Sequence, residues 1–346
     1  MGFLRNAWYV AAWSDEVGSK LLGRTILNEP VLLYRGEAGQ AVAIGDRCPH
    51  RFAPLHLGSL KDGVVQCPYH GLQFDASGAC VHSPHGDGKI PRNARVTKYP
   101  VAERYGIVWI WPGQADKADD STIPQFDMLV DPALKTVKGS LNVKAHYEVV
   151  SDNLLDLSHI QFIHADYQKM DKLLEAPHEV IENDRSVVSK RVVPNAKGPV
   201  SLMRNFPDPE TLIDYWLRVR WDAPSLCHLD IGASLPGRGE AEGIWRRGFH
   251  LLTPETETST HYFYASTRNY RVNDAEEDRA IGEWQQVGFH QQDKPMLEAV
   301  QRMMGTTDLM SLRPIVLSSD KAAIRARHIL ANLITQEEAA AVSNAA

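Results

Sequence analysis

The chain has 346 residues, 43% hydrophobic and 23% charged, with a formal net charge of −6 and no long run of one sign. This is the balance of a globular protein of one or two domains, and without a clustered basic stretch nucleic acid is not expected as the main partner. No apolar run approaches the ~18 residues of a membrane span, the amino terminus lacks the apolar core and cleavage site of a leader, and four cysteines do not make a disulfide scaffold; a cytoplasmic protein whose paired cysteines serve metal or redox chemistry is expected.

In chain order, residues 24–47 alternate and turn like a β-meander: "RTILNEPVLLYR", the turn residues "GEAGQ", then "AVAIGDR". "DGVVQ" reads as a strand entering a tight loop, and "GLQFDASGACV" as a hairpin around Ala76-Ser77-Gly78. "YPVAERYGIVWIWPG" gives two more strands, so residues 1–113 read as a small all-β domain. The acidic, Pro-ended "QADKADDSTIPQ", residues 114–125, is the linker candidate. Beyond it, residues 126–346 read as a mixed domain. Helical spacing marks 147–167, strands return over 200–270, and helices are expected over 275–304 and 318–341. The predicted class is α+β: an all-β domain followed by an antiparallel sheet with helices on it, in a helix-grip-like arrangement.

"CPHRFAPLHLGSLKDGVVQCPYHG", residues 48–71, places Cys48 and His50 in one short loop, and Cys67 and His70 in another. Zinc fingers usually pair Cys with Cys and His with His. One Cys and one His per loop suits a binuclear cluster instead, in which Cys48 and Cys67 hold one iron and His50 and His70 the other. This is the Rieske [2Fe–2S] pattern, whose neutral imidazoles raise the reduction potential. Pro49 and Pro68 stiffen the loops, and Gly71 permits a sharp turn. A structural zinc site is the alternative. Cys80 and Cys227 lack such partners and read as buried thiols.

More than 200 residues follow the cluster motif, too many for a small electron carrier. In "SDNLLDLSHIQFIH", residues 151–164, Asn153, Asp156 and His159 recur at helical spacing on one face. His164 lies five residues past His159, so a regular helix would point the two apart; the helix must end or bulge between them to bring both to one metal. Two His and one carboxylate form the facial triad of mononuclear iron oxygenases. Asp293, in "HQQDKPMLEAV", is a candidate carboxylate, but Asp before Lys-Pro is also a good helix N-cap. On spacing alone, Glu276, Glu277, Asp278, Glu283 and Glu298 compete with it.

Taken together, "CPHR…CPYHG" and "DNLLDLSHIQFIH" resemble the oxygenase component of Rieske non-haem iron oxygenases. "RNAWYVAAW", "GRTILNEPVLLYR", "YPVAERYGIVWIWPG" and "LLTPETETSTHYF" are similar to the subgroup of vanillate O-demethylase oxygenase subunits, dicamba monooxygenase and toluenesulfonate methyl-monooxygenase. The resemblance implies that His159, His164 and Asp293 ligate iron. It implies a head-to-tail homotrimer in which Asp156 bridges one subunit's cluster histidine to an iron-ligand histidine of the next, with Asn153 close to the iron. His250 and Trp284 match positions that line the aromatic pocket. "LCHLDIGASLP" departs from the dicamba enzyme, placing His228, Leu229 and Asp230 in the substrate region.

The implied activity is that of a terminal monooxygenase using O2. It would hydroxylate a methoxy or methyl carbon of a small aromatic acid, a vanillate-like substrate being favoured and formaldehyde released. Aryl-methyl or ring hydroxylation is the alternative, and a Rieske electron carrier the remote one. "GRGEAEG" is not a dinucleotide fingerprint, so electrons from NAD(P)H are expected through a separate flavin and [2Fe–2S] reductase, with or without a ferredoxin.

Overall fold

The computed structural model describes residues 2–345. The amino-terminal part consists of short strands: β1 (Tyr9–Trp13), β2 (Leu22–Ile26), β3 (Glu29–Arg35), β4 (Ala41–Gly45), β5 (Ser59–Lys61), β6 (Val64–Gln66), β7 (Gln73–Phe74), β8 (Cys80–His82), β9 (Lys98–Tyr99), β10 (Val101–Arg104) and β11 (Ile107–Ile110). They form sheets ordered β1-β11-β10, β2-β3-β4-β9 and β5-β6-β7-β8. Two-residue turns at Leu27-Asn28, Asp62-Gly63 and Tyr105-Gly106 set the register of three hairpins, and all six residues have positive φ. That geometry matches the right-handed twist of the flanking strands. Only Asp62-Gly63 has the residues usually found there, so the break inside "RTILNEPVLLYR" is hidden in the sequence.

The compact unit built on these strands comprises residues 5–126 with 253–256. Its segment 114–125 is itself folded. It forms short 3-10 turns, the Trp8 and Trp111 indole N–H groups donate to the carbonyls of Asp119 and Gln114, and Ile123 is buried.

The second unit contains β12 (Lys135–Val143), α1 (Tyr147–Leu155), α2 (Ala165–Gln168), β13 (Glu179–Asn183), β14 (Ser186–Lys197), α3 (Val200–Met203), β15 (Leu212–Asp222), β16 (Leu226–Ser234), β17 (Ile244–Thr256), β18 (Ser259–Arg268), α4 (Ala275–Gln285), α5 (Lys294–Met304) and α6 (Lys321–Ala345). Its sheet has the order β12-β18-β17-β16-β15-β14-β13, with the sheet's first strand in sequence paired to its last. Strands β12, β13 and β14 were not expected from the sequence. β13 is an edge strand that buries none of its residues, and β12 buries only Val143, so neither presents a clear apolar alternation. The helical region expected over 147–167 is also shorter: α1 ends at Leu155, and irregular backbone follows.

One core packs Val143, Val149 and Val150 against Leu252, Tyr262, Tyr264, Phe289 and Leu297, holding α1 and the 286–304 region on the sheet. A buried ion cluster ties α6 to α1. The Arg327 guanidinium grips the Asp152 carboxylate with nitrogen–oxygen distances of 2.6–3.0 Å and also binds Glu148. Burial pushes the Glu148 carboxyl up to about 7, with Arg327 pulling the other way.

Candidate functional site

The two cysteine–histidine loops share one backbone plan. The Cys48 carbonyl accepts from Phe52 N–H and the Cys48 N–H donates to the Ala53 carbonyl; the Cys67 carbonyl accepts from Gly71 N–H and the Cys67 N–H donates to the Leu72 carbonyl. The fifth residue of each loop closes it at positive φ, +60° for Phe52 and +74° for Gly71. Phe52 does so without glycine's freedom, under the Arg47 guanidinium 4.5 Å from its ring centre.

These loops sort their donors by depth. Cys48 and Cys67 lie in the hydrophobic core with Leu32, Tyr34, Leu55, Val65 and Phe74. His50 is exposed and His70 half-buried, their ring centres 4.5 Å apart. Burial, with the adjacent Cys67 thiol, pushes Cys48 up to about 11, so a cation must compensate its thiolate there. Partial desolvation and the neighbouring His50, His85 and Arg51 lower His70, keeping a lone pair available. Two soft donors inside and two imidazoles toward the surface suit a Rieske cluster.

A second group forms beyond α1. Asp156 ends that helix at φ −84°, ψ 91°. A single 3-10 turn from His159 to Gln161 follows, and His164 precedes α2 at φ −108°, ψ 25°. This break turns His159 and His164 toward one another, with ring centres 5.1 Å apart. The histidines therefore meet because the helix ends. The π-helical widening lies elsewhere, at Gln286–Asp293 between α4 and α5. Five-residue spacing aligns in a π turn, and both Trp284 and Phe289 line the same cavity as Asp293.

Asp293 is not a helix cap. It has helical dihedrals, φ −67° and ψ −53°, and makes no side-chain cap bond. Its Oδ1 is buried without a hydrogen-bond partner, 3.3 Å from His164 Nε2 and 3.9 Å from His159 Nε2. The His159 Nδ1–H donates to the Asp156 carbonyl, and the His164 Nδ1–H to Gln292 Oε1 at 2.8 Å. These bonds leave both Nε2 lone pairs facing the carboxylate, the orientation metal-binding histidines need. Burial lowers His159; at His164 the same effect is outweighed by Asp293 and Gln292, and its pKa is raised. All three ligand atoms lie within 4.8 Å of one another. The other five acids that competed on spacing are not among these donors.

Asp156 holds His159 within this chain through its backbone. Its carbonyl, not its carboxylate, holds His159, while Oδ1 accepts from Ser158 N–H and Oγ at 2.9 and 2.6 Å. Asp156 and Asn153 both border a groove lined by Met296, Val300, Ile315 and Val316.

The triad borders a largely apolar cavity that also receives Asn153, Leu217, Leu229, Ile231, His250 and Trp284. Trp284 stands edge-on to His164, ring centres 5.0 Å apart, and stacks with Tyr167. His250 is buried, with Nδ1 2.6 Å from the Tyr262 hydroxyl and Nε2 unpartnered. Burial takes His250 down to about 4. Of the three residues in the divergent stretch, only Leu229 faces the cavity. His228 stacks on Phe249, and Asp230 pairs with Arg218 and Arg247. Sequence reading missed Gln292, Tyr262 and Arg246, the last also lining the cavity. Arg246 was detectable by parity, since it shares a strand face with His250.

Among known proteins, the Rieske [2Fe-2S] domain family matches residues 7–100 and the vanillate O-demethylase oxygenase C-terminal domain family matches residues 143–336. The oxygenase component of dicamba O-demethylase from Stenotrophomonas maltophilia is 42% identical over 94% of this chain and 96% of its own. The oxygenase component of chloroacetanilide N-alkylformylase from Rhizorhabdus wittichii is 38% identical over 97% of each chain. A crystal structure of dicamba monooxygenase with non-heme iron and dicamba superposes with a TM-score of 0.86 at 40% identity, covering 98% of this chain and 99% of that one. With both halves matched and the likeness running nearly end to end, the chain belongs to the Rieske non-haem iron oxygenases, in the branch of the vanillate and dicamba O-demethylase oxygenase components.

Proposed function

We propose that this protein is the terminal oxygenase of a multicomponent system that O-demethylates a small aromatic acid. The observation that carries the reading is a buried set of two imidazoles and one carboxylate bordering a largely apolar cavity with Trp284 and Phe289 in its wall. Residues 1–113 would store electrons and residues 126–346 would carry the oxygen chemistry, joined by 114–125. Cys48, His50, Cys67 and His70 would hold a [2Fe–2S] cluster, and His159, His164 and Asp293 a ferrous ion. When bound, these groups supply one-electron storage and dioxygen activation.

The chain's own residues do the rest. Gln292 and the Asp156 carbonyl fix the imidazole tautomers. Trp284 offers a ring edge and face to an aromatic substrate, and Leu229, Ile231 and Phe289 exclude water around it. His250 stays neutral and offers Nε2 to a substrate oxygen. Asn153, at the cavity wall, would position a water or substrate. Hydroxylation of a methoxy methyl gives a hemiacetal, which collapses to a phenol and formaldehyde. The names of the relatives, an O-demethylase and an N-alkylformylase, support removal of a one-carbon or alkyl group.

The two electrons per turnover would come from NAD(P)H through a separate flavin and [2Fe–2S] reductase, with or without a ferredoxin. A cytoplasmic homotrimer is the proposed assembly, with Asp156 facing the neighbouring subunit's cluster loops. Its place beside a groove of exposed Met296, Val300, Ile315 and Val316 supports a contact there. No helix among the described residues is long and apolar enough to cross a membrane.

The test is oxygen uptake by anaerobically purified, iron-loaded protein with NADH and a surrogate reductase, over methoxy- and methyl-benzoates. Formaldehyde from a methoxy compound, dependent on the reductase, is expected. A benzylic alcohol from methyl compounds with no formaldehyde from any ether would replace demethylation by methyl hydroxylation. Oxygen uptake that never responds to any aromatic would defeat the reading.

A further inference from the structure

The arginines of the large sheet are almost all paired. Arg218 binds Asp230 and Glu240, Arg220 binds Asp222, Arg247 lies by Asp230, Arg268 binds Asp278, and Arg191 donates to the carbonyls of Leu173 and Ala176. Arg246 is the exception. It is only 6% exposed, and its guanidinium makes no hydrogen bond or ion pair among the described residues. A buried charge without a partner is costly, and proteins rarely keep one without a use.

Its position on β17 says where that charge points. Arg246, Gly248 and His250 share one face of the strand, and all three line the cavity beside the iron ligands. Trp245, Arg247 and Phe249 face the other way, where Arg247 lies over Trp245 and Phe249 stacks on His228. Gly248 keeps the space between the two polar side chains open, since a Cβ there would sit 2.7 Å from His250 Nε2 and 3.3 Å from Leu229 Cβ. On β15 and β16 the inward residues Leu217, Leu229 and Ile231 are apolar, and β18 adds Ser266. Arg246 is therefore the one arginine or lysine among the described residues that line this largely apolar cavity.

His250 supplies the complement. His250 Nδ1, 2.6 Å away, is the one side-chain hydrogen-bond partner of the Tyr262 hydroxyl among the described residues, so the hydroxyl is assigned as the donor and Nδ1 as the acceptor. With Nδ1 so occupied, the imidazole proton sits on Nε2 and points into the cavity as a neutral donor. Four residues along a strand separate Cα atoms by about 13 Å, and the long arginine stem spans part of that gap. The pair would thus read two groups set apart across a ring.

We infer that Arg246 is the specificity-determining residue of the substrate cavity. It binds an anionic oxygen group, carboxylate or sulfonate, carried by an aromatic substrate whose uncharged ether or phenolic oxygen is held by His250. This rests on the oxygenase reading and deepens it by assigning the acid group to one side chain. A guanidinium meets either anion with two parallel N–H donors, which an ammonium cannot reproduce.

The test is calorimetric binding to the full-length, cluster- and iron-loaded protein. The probes are 4-methoxybenzoate, 4-methoxybenzenesulfonate and the uncharged 4-methoxybenzamide. Wild type should bind an anion at least tenfold more tightly than the amide. Arg246→Met should weaken the preferred anion about 100-fold, the usual scale for removing one partner of a buried charge pair, and change amide binding by less than threefold. Arg246→Lys should recover part of the loss. Which anion binds more tightly identifies carboxylate or sulfonate as the source. Thermal melts confirm that the variants are folded, and if Arg246→Met does not fold, the Arg246→Lys comparison decides. Equal binding of anion and amide by wild type, no binding of either anion, or an unchanged anion affinity in the folded variants would overturn the assignment. Reductase-dependent oxygen uptake keeps the two readings separable. Uptake with an Arg246-independent KM sinks only the anion site, whereas Arg246-dependent binding without uptake sinks only the oxygenase reading.

Discussion

Gln292 has no metal-binding side chain, yet its amide oxygen should control how well iron is held. Its Oε1 accepts the His164 Nδ1–H at 2.8 Å, and the ring is buried. Gln292→Leu keeps the size and removes the acceptor. The His164 proton is then free to move to Nε2, where Asp293 Oδ1 lies 3.3 Å away and accepts it. That tautomer turns the metal-binding nitrogen into a donor and occupies the carboxylate as well, so iron must first displace a proton. Keeping the proton on Nδ1 instead leaves a buried donor unsatisfied, at about 1–3 kcal/mol. Either route predicts iron affinity weakened about 10- to 100-fold, the range typical for losing such a supporting bond. Ferrous ion titrated against a competing chelator measures it. The visible spectrum of the cluster, ligated in the other compact unit, should be unchanged. Iron affinity within twofold of wild type in a folded Gln292→Leu protein would show that the backbone alone sets the ring, and the tautomer argument would fail.

Other expectations follow from the same geometry. Arg327→Met leaves Glu148 buried without its cation and should cost about 3–5 kcal/mol in urea unfolding; a loss below 1 kcal/mol would mean that the ion cluster is decorative. Glu148 is raised in the fold to about 7, so folding takes up a proton: its contribution is fully present below the ordinary carboxylate pKa and is lost as pH rises through 7, about 3 kcal/mol in all. The Arg327→Met penalty should therefore shrink when unfolding is repeated near pH 5, and a pH-independent penalty would contradict this. Cys48→Ala should abolish the red-brown cluster absorption while leaving stoichiometric ferrous ion at the second site, as measured by elemental analysis. Gly248→Ala should raise KM for aromatic substrates at least tenfold and lower the melting temperature, because the added methyl must displace the buried His250 ring and crowds Leu229; an unchanged KM in the folded variant would place the substrate elsewhere.

What the sequence displays are donors; what it conceals is the backbone that aims them. The two Cys–His pairs could be read from residue type and spacing alone, because few chemistries use one soft and one borderline donor per loop. Their parallel closure by Phe52 and Gly71 could not, since nothing about phenylalanine announces a positive φ. His159 and His164 were visible as a pair with an awkward five-residue interval, which required a break in the helix but did not say which kind. Asp293 was ambiguous because Asp-Lys-Pro is also how a helix begins. A π turn leading into that sequence removes the ambiguity: the helix is continuous, Pro295 falls in the first turn of α5, and the carboxylate is freed from capping. Strands β12 and β13 were lost because they bury almost nothing, and β14 because the alternate positions it buries include Ser189 and Arg191, so no apolar rhythm was there to detect.

The substrate question turns on a simpler rule. Along a strand every second side chain faces the same way, so a residue's role depends on its parity with a neighbour already placed. Parity with His250 brings Arg246 and Gly248 inward on β17, and parity with Ile231 brings Leu229 inward on β16. It sends His228 and Asp230 outward, although all three lie in the stretch where this chain departs from the dicamba enzyme. Of these three positions one therefore faces the cavity, and that one is apolar. The polar selection must come from another strand. Arg246 is the cavity-lining arginine there, and the surrounding sheet leaves its charge for a ligand to neutralise.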